Sequence, residues 1–260
     1  MTIEKSFNVT DLKYFADYQN RIGCQIPSLI EKYPFSDNEL DFNYLTEASA
    51  VYSSNIEGNT VDLNSFMNYK LSRQKSKEKE IEEIENLISA YKFAQENTLS
   101  KSNFLKCHEL LSRTLVSKNR RGKYRNESVG VFGESGLIYL AVEPEFVKET
   151  MAAFFDEIES LEKQKKMSAA EVFYHASLIH LKCAHIHPFS DGNGRSARLL
   201  EKWFIASMMG KRFWAIESER CCKENRSTYY ENIDLGVNYY ELDYDKCLPF
   251  LEMLPKCLKK

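Results

Sequence analysis

Between residues 187 and 198 the chain reads HPFSDGNGRSAR, and almost every residue type there has a chemical use. His187 carries a side chain that takes up a proton near neutral pH. Gly192 and Gly194 let the backbone turn tightly and approach a ligand closely. Consecutive N–H groups that open a helix, with the helix dipole behind them, attract an anion. Arg195 and Arg198 stand three apart, so they project from adjacent positions near that helix start. Two guanidinium groups suit several phosphate oxygens. Asp191 would repel such a phosphate unless a cation bridged the two, and a carboxylate beside phosphates is how Mg²⁺ is usually held. A base, a metal carboxylate, an anion hole and two cationic clamps make a kit for phosphoryl or nucleotidyl transfer. The chain lacks GxxxxGK[ST], which excludes a P-loop enzyme.

Helices must position this segment. Ser168 to His185 carries Val172, Phe173, Ala176, Ile179 and Cys183 before it. Asn193 to Met209 carries Leu199, Leu200, Trp203, Phe204 and Met208 after it, with Gly210 where a C-terminal cap belongs. The motif is therefore a loop that runs into a helix. Leu40 to Ser53 is mixed and moderately amphipathic. Lys77 to Asn97 places Ile81, Ile84, Leu87, Ile88 and Tyr91 on one stripe, and its charge run from Lys75 to Glu85 reads as a solvated face. Asn103 to Val116 and Glu143 to Lys163 repeat the helical spacing, and the last fifty residues do so less clearly. The one β signal is Val129 to Ala141, two apolar runs around Gly-Glu-Ser-Gly, which predicts a hairpin. No repeat or linker interrupts the chain, and one compact all-α domain with a small hairpin is expected.

Composition narrows the function class. Ten Gly and six Pro in 260 residues are few, which favours long helices over many turns. A net charge of −3 gives no general attraction to nucleic acid or anionic membrane. The strongest apolar run, Trp203 to Met209, is too short to span a bilayer. Met1 to Thr10 has no basic stretch followed by an apolar run, so no signal peptide is expected. Seven Cys without a CxxC pair suggest reduced thiols and a cytoplasmic location.

The twelve-residue segment resembles the Fic signature HPFx[DE]GNGRxxR, matching its nine fixed positions without a gap. The resemblance implies an all-α Fic-type domain that transfers AMP from ATP to a Ser, Thr or Tyr hydroxyl of a target protein. His187 would be the general base. Asp191 would hold Mg²⁺ on the α- and β-phosphates. Gly192, Asn193 and Gly194 would form the phosphate loop, with Asn193 on the α-phosphate and Arg195 and Arg198 on the β- and γ-phosphates. Phe189 would anchor the loop. The related Doc group, which phosphorylates its target, has Lys where Gly194 stands, so Gly194 favours nucleotidyl transfer. The hairpin falls where the family has a flap that docks a target segment by strand addition, with Gly122 to Arg125 as its lead-in. Arg226 to Tyr230 is similar to the family's R-x-x-Y-Y segment and offers Tyr230 to adenine. Residues 1–75 would be an N-terminal helical region, 76–240 the Fic domain and 241–260 a C-terminal helical tail, with no winged-helix domain expected.

Ser53 to Gly58, SSNIEG, resembles the family's inhibitory motif [ST]xxxE[GN] through Ser53, Glu57 and Gly58. The implied brake is electrostatic. Glu57 would pair with Arg198 and compete with the γ-phosphate for its guanidinium, and release of the helix would free Arg198. A de-AMPylase, a transferase of UMP or GMP, and a nucleotide-sensing module without transfer remain alternatives. Self-modification and a homo-oligomer stay open as well.

Blander roles suit several other residues. Cys183, His185 and His187 diverge at helical spacing, so Cys183 reads as core and His185 as a hydrogen-bond partner. His175 and His180 read as core or surface. The basic run Lys118 to Arg125 reads as a solvated loop rather than a nucleic-acid contact. Tyr139 is a candidate for modification or target contact.

Overall fold

The computed structural model describes residues 7–35, 38–72, 78–133, 136–164 and 166–259. Lys75 to Lys77 of the expected charge run, and Glu134 and Ser135 at the hairpin turn, lie outside them. Along the chain come α1 (Phe15–Arg21), α2 (Ile26–Lys32), α3 (Glu39–Ile56), α4 (Leu63–Ser72), α5 (Glu78–Glu96) and α6 (Lys101–Leu111). Strands β1 (Gly130–Gly133) and β2 (Gly136–Leu140) follow, then α7 (Pro144–Glu162), α8 (Ala169–Ile186) and α9 (Asn193–Met209). The chain ends in the short helices α10 (Ser218–Glu224), α11 (Arg226–Ile233), α12 (Leu248–Leu251) and α13 (Met253–Lys256). The fold is all-α with a hairpin, as expected. It gathers into two compact units that interleave along the chain. The first holds residues 1–33, 124–193 and 227–260, and the second 34–123 and 194–226.

The first unit is built around α8. Its residues are buried on all sides, with α1, α2, α7, α12 and α13 packed against it, which explains why its apolar residues are not confined to one stripe. A capping box opens it, Ser168 Oγ accepting from Glu171 N while the Glu171 carboxylate takes Ser168 N–H. Residue 187 closes it in a left-handed conformation, with its N–H on Cys183 O at 3.1 Å. The antiparallel hairpin pairs Gly130 with Leu140 and Val131 with Tyr139, and a bulge follows Val131. Beyond it, Leu140 N–H donates to Val237 O at 2.9 Å, so the chain's own C-terminal part continues the sheet by one isolated parallel bridge.

The second unit packs α3 against α5 and α10, and α5 against α6. Asn38 caps α3 by accepting Leu40 N–H. α6 is shorter than the periodicity predicts: it ends at Leu111, and in the turn beyond it Arg113 O and Val116 O accept from the Arg121 guanidinium. Helices α1, α2 and α4 have 7, 7 and 10 residues, too few for a periodic signal to stand out. No described helix is long and apolar enough to cross a membrane.

Candidate functional site

Seven residues of the HPFSDGNGRSAR segment, 187–193, belong to the first unit, and five, 194–198, to the second. In the first unit His187 has φ +52°, making it the one non-glycine with positive φ among the described residues. His tolerates this region better than most side chains, but a cost of about 1 kcal/mol or more remains for the surroundings to meet. Pro188 keeps residue 187 out of the α region. Arg125 then fixes the turn. Its Nε donates to His187 O at 2.7 Å, its Nη2 to Val142 O at 2.5 Å and Ile186 O at 3.4 Å, and its Nη1 to Glu127 O at 3.0 Å. Its backbone N–H reaches Pro188 O at 3.0 Å. A cation on the last carbonyls of α8 also complements the helix dipole. Arg125 is 3 % exposed, which corrects its reading as part of a solvated basic loop.

The imidazole of His187 is oriented too. Nδ1 lies 3.2 Å from Ala184 O, and a carbonyl only accepts, so Nδ1 carries the hydrogen and Nε2 presents the basic lone pair. Further along, Phe189 is fully buried and packs against Tyr124, the ring centroids 5.8 Å apart and the planes tilted by 34°. Asn193 spends both ends of its amide on Phe189, accepting its N–H and donating to its C=O, each at 2.8 Å. Its side chain therefore staples the loop. Gly192 has φ +82°, and its N–H donates to Asp191 Oδ1 at 2.6 Å.

Asp191 itself is exposed. Among the described residues no group of three or more His, Cys, Asp or Glu gathers as a metal cage. A single carboxylate fits the kind of Mg²⁺ that arrives with a nucleotide and takes its other ligands from phosphates and water.

Other side chains of this unit have structural employment. His185 Nε2 donates to Ile233 O at 2.8 Å, so its Nδ1 accepts from Tyr244 OH at 3.0 Å. Burial depresses its pKa to about 4. Tyr139 OH donates to His185 O at 2.6 Å and is buried, which corrects the expectation that it meets a target. Cys183 is core, its thiol pushed up by burial. His175 Nδ1 meets Val9 O at 2.7 Å, and His180 Nε2 meets Tyr229 OH at 3.0 Å. Tyr230, next in α11, is exposed and packs edge-on against Tyr229.

In the second unit α9 presents its cations to acidic partners. Arg195 Nη2 donates to Glu83 Oε1 at 2.7 Å. Glu83 belongs to the charge run read as solvated, and only its distance in sequence from Arg195 hid the pairing. Arg198 is 1 % exposed. Its Nη2 donates to Glu57 Oε1 at 2.6 Å and Ser53 O at 3.0 Å, and its Nε to Ser53 Oγ at 2.9 Å. Ser53, Glu57 and Arg198 thus come together. Gly58, just past the helix, has φ +98°. Gly194 lies under the Glu57 carboxylate, and a Cβ there would collide with Glu57 Oε1. One turn beyond Arg198, Lys202 Nζ donates to Ser49 Oγ at 2.8 Å and to Glu219 at 2.5 Å, and Tyr91 OH donates to the other Glu219 oxygen at 2.6 Å. Burial works against an ionised Glu219, but the charge and hydrogen bond of Lys202 outweigh it and hold the carboxyl below its usual range.

The start of α9 also has donors without acceptors. Arg195 Nε and Ser196 Oγ are buried with no hydrogen-bond partner among the described residues. An anion there would satisfy a helix start that has no acidic side chain in its first turn.

Residues 98–205 match the Fic/DOC family. The matched stretch takes in the whole HPFSDGNGRSAR segment. A protein adenylyltransferase Fic from Nematostella vectensis is 27 % identical over 219 residues, covering 81 % of this chain and 46 % of that protein. Another, from Aedes aegypti, is 30 % identical over 157 residues, 57 % of this chain and 30 % of its own length. The chain thus spans less than half the length of these curated relatives. A Fic family protein from Desulfovibrio desulfuricans shares the fold with a TM-score of 0.73 at 21 % identity, covering all of this chain and 74 % of its own. A Fic domain containing signaling protein from Bacteroides thetaiotaomicron does so at 0.69 and 19 %, with 91 % and 92 % covered.

Proposed function

We propose that this chain is a protein adenylyltransferase, moving AMP from ATP to a hydroxyl of a target protein, with Glu57 as its brake. The observation that carries the reading is the start of α9, where the buried Arg195 Nε and Ser196 Oγ find no acceptor among the described residues. In sequence it begins six residues after His187, whose tautomer leaves Nε2 basic. The name shared by the curated relatives supports the same chemistry.

In this reading His187 Nε2 takes the proton from the target hydroxyl as its oxygen attacks the α-phosphorus. An O–P bond forms to the target, the bond to the β-phosphate oxygen breaks, and pyrophosphate leaves. The N–H groups opening α9 receive phosphate oxygens, and Arg195 and Arg198 take the outer phosphates. Asp191 would hold Mg²⁺, which when bound offsets phosphate charge. The exposed hairpin residues Phe132 and Leu137 offer a target segment apolar contact beside the strand edge. Glu57, by occupying Arg198, keeps the γ-phosphate from its partner, so ATP sits out of line. A misplacement of about 1 Å can lower the rate roughly 10²-fold.

Labelled-ATP transfer, scored on the protein itself and on a lysate, tests this. Glu57→Gly should label, and adding His187→Ala should abolish the label while nucleotide still binds. Nucleotide binding with no transfer of AMP, UMP or GMP and no AMP removal would leave a sensing module instead.

A further inference from the structure

The second unit carries a groove that the transfer chemistry does not use. Helix α6 and the turn after it enclose about 490 Å³ lined by Lys106, Arg113, Lys118, Arg121 and Lys123. Glu109 is the one carboxylate in this lining among the described residues. Five cations against one anion leave a local excess of four positive charges in a protein whose net charge is −3.

The groove is built rather than a chance meeting of loop lysines. Gly122 has φ +63°, and a Cβ on it would stand 2.9 Å from Leu105 O and 3.0 Å from Glu109 Cβ. Only glycine lets the turn lie this close to α6. Gly122 N–H then donates to His108 Nδ1 at 3.0 Å. Arg121 clasps the turn from within, reaching Arg113 O at 2.6 Å and Val116 O at 3.2 Å. With the turn fixed, Arg113, Lys118 and Lys123 stand exposed. The lone carboxylate is already matched. Lys106 Nζ bonds Glu109 at 2.9 Å, and that hydrogen bond, with Lys106, Arg113 and Arg121 charges nearby, keeps Glu109 ionised below its usual range.

We propose that this groove docks an acidic, extended segment of the target protein. The proposal rests on the reading that the substrate is a protein. Charge complementarity sets the sign of the occupant. The lining holds no aromatic side chain, so it offers no platform on which a nucleic-acid base could stack. Docking here would raise the local concentration of a target whose hydroxyl binds elsewhere on the enzyme.

Fluorescence anisotropy with a labelled octaglutamate peptide on the full chain tests it without nucleotide. The probe should bind wild type at low salt and release as salt rises. Lys118→Glu with Lys123→Glu should weaken it about tenfold or more, since two rim attractions become repulsions. The neutral pair Lys118→Gln, Lys123→Gln should lie between. Lys148→Glu, in α7, should change affinity less than about twofold. Equal affinity in wild type and the double reversal, with both folded by circular dichroism, overturns the proposal. So does a single-stranded oligonucleotide of equal charge that binds more tightly and is lost in the double reversal. Transfer activity is read separately: peptide binding without AMP transfer keeps the groove and sinks the enzyme reading, and transfer without peptide binding does the reverse.

Discussion

Replacing Glu57 by glycine should make the protein less stable without nucleotide and more responsive to ATP. Arg198 is 1 % exposed, and Glu57 gives it a carboxylate contact at 2.6 Å. A charge-assisted hydrogen bond is worth about 1.5–3 kcal/mol. The Glu57 side chain is 26 % exposed, so solvent screening favours the lower part, about 1.5–2 kcal/mol. Ser53 still holds the guanidinium after the change, which limits the cost of stranding a buried charge. For a chain of this size that loss lowers Tm by roughly 3–8 °C. The same contact opposes phosphate binding, so its removal should tighten ATP about ten- to thirtyfold. Scanning fluorimetry across an ATP titration reads both effects, and Glu57→Gln should fall between, keeping a hydrogen bond without the charge. An unchanged Tm together with ATP affinity within twofold of wild type would refute the idea that Glu57 and phosphate compete for Arg198.

Two further outcomes follow from the first unit. Arg125→Lys keeps the charge but cannot reach four carbonyls at once, so it should cost about 3 kcal/mol of stability. It should lower turnover roughly 10²-fold through misplacement of His187, with ATP affinity nearly unchanged; a parallel loss of ATP affinity would contradict a purely positioning role. His185 is held neutral, its folded pKa about 4 against an ordinary 6.5. Between those values the unfolded chain binds a proton that the folded one refuses. Stability is therefore intact above pH 6.5 and lost as pH falls toward 4, by up to about 3 kcal/mol. His175 is depressed by burial in the same direction. In denaturant titrations His185→Gln should flatten this slope, and an unchanged slope would remove His185 as its source.

The signature loop and the long helices were legible because their signals are local. A contiguous twelve-residue pattern and a 3.6-residue period need no knowledge of the rest of the chain. What holds the loop was not legible. Arg125 sits in a run of cations, and charge in sequence reads as solvent exposure. Nothing local says that four carbonyls, from residues 127, 142, 186 and 187, converge on it. Glu83 misled in the same way, since its partner Arg195 is remote in the chain. Lys202 and Glu219 are a buried ion pair within apolar stripes, where periodicity expects neither. The left-handed turn at His187 did have a signal, a helix pattern that stops at a His-Pro step. Tyr139 looked available because an aromatic in a hairpin alternates between faces, and only the structure assigns its hydroxyl to His185 O.

Ser49 and Ser53 on α3 and Glu57 at its C-terminal cap lie four residues apart, and Lys202 and Arg198 hold them in reverse order along α9. The two helices therefore run antiparallel, laced by buried cations. Undocking α3 would take Ser53 and Glu57 from the buried Arg198 and Ser49 from the buried Lys202. On the proposed reading, then, the helix stays and only the last member of the row, the part-exposed Glu57 carboxylate, turns aside. Such a turn is a rotamer change on a timescale of about picoseconds to nanoseconds, far faster than any turnover. A contact of about 1.5–2 kcal/mol leaves Arg198 open roughly 3–8 % of the time. The enzyme would then have an idle speed instead of an off state, and a regulator need only tilt a population that is already present.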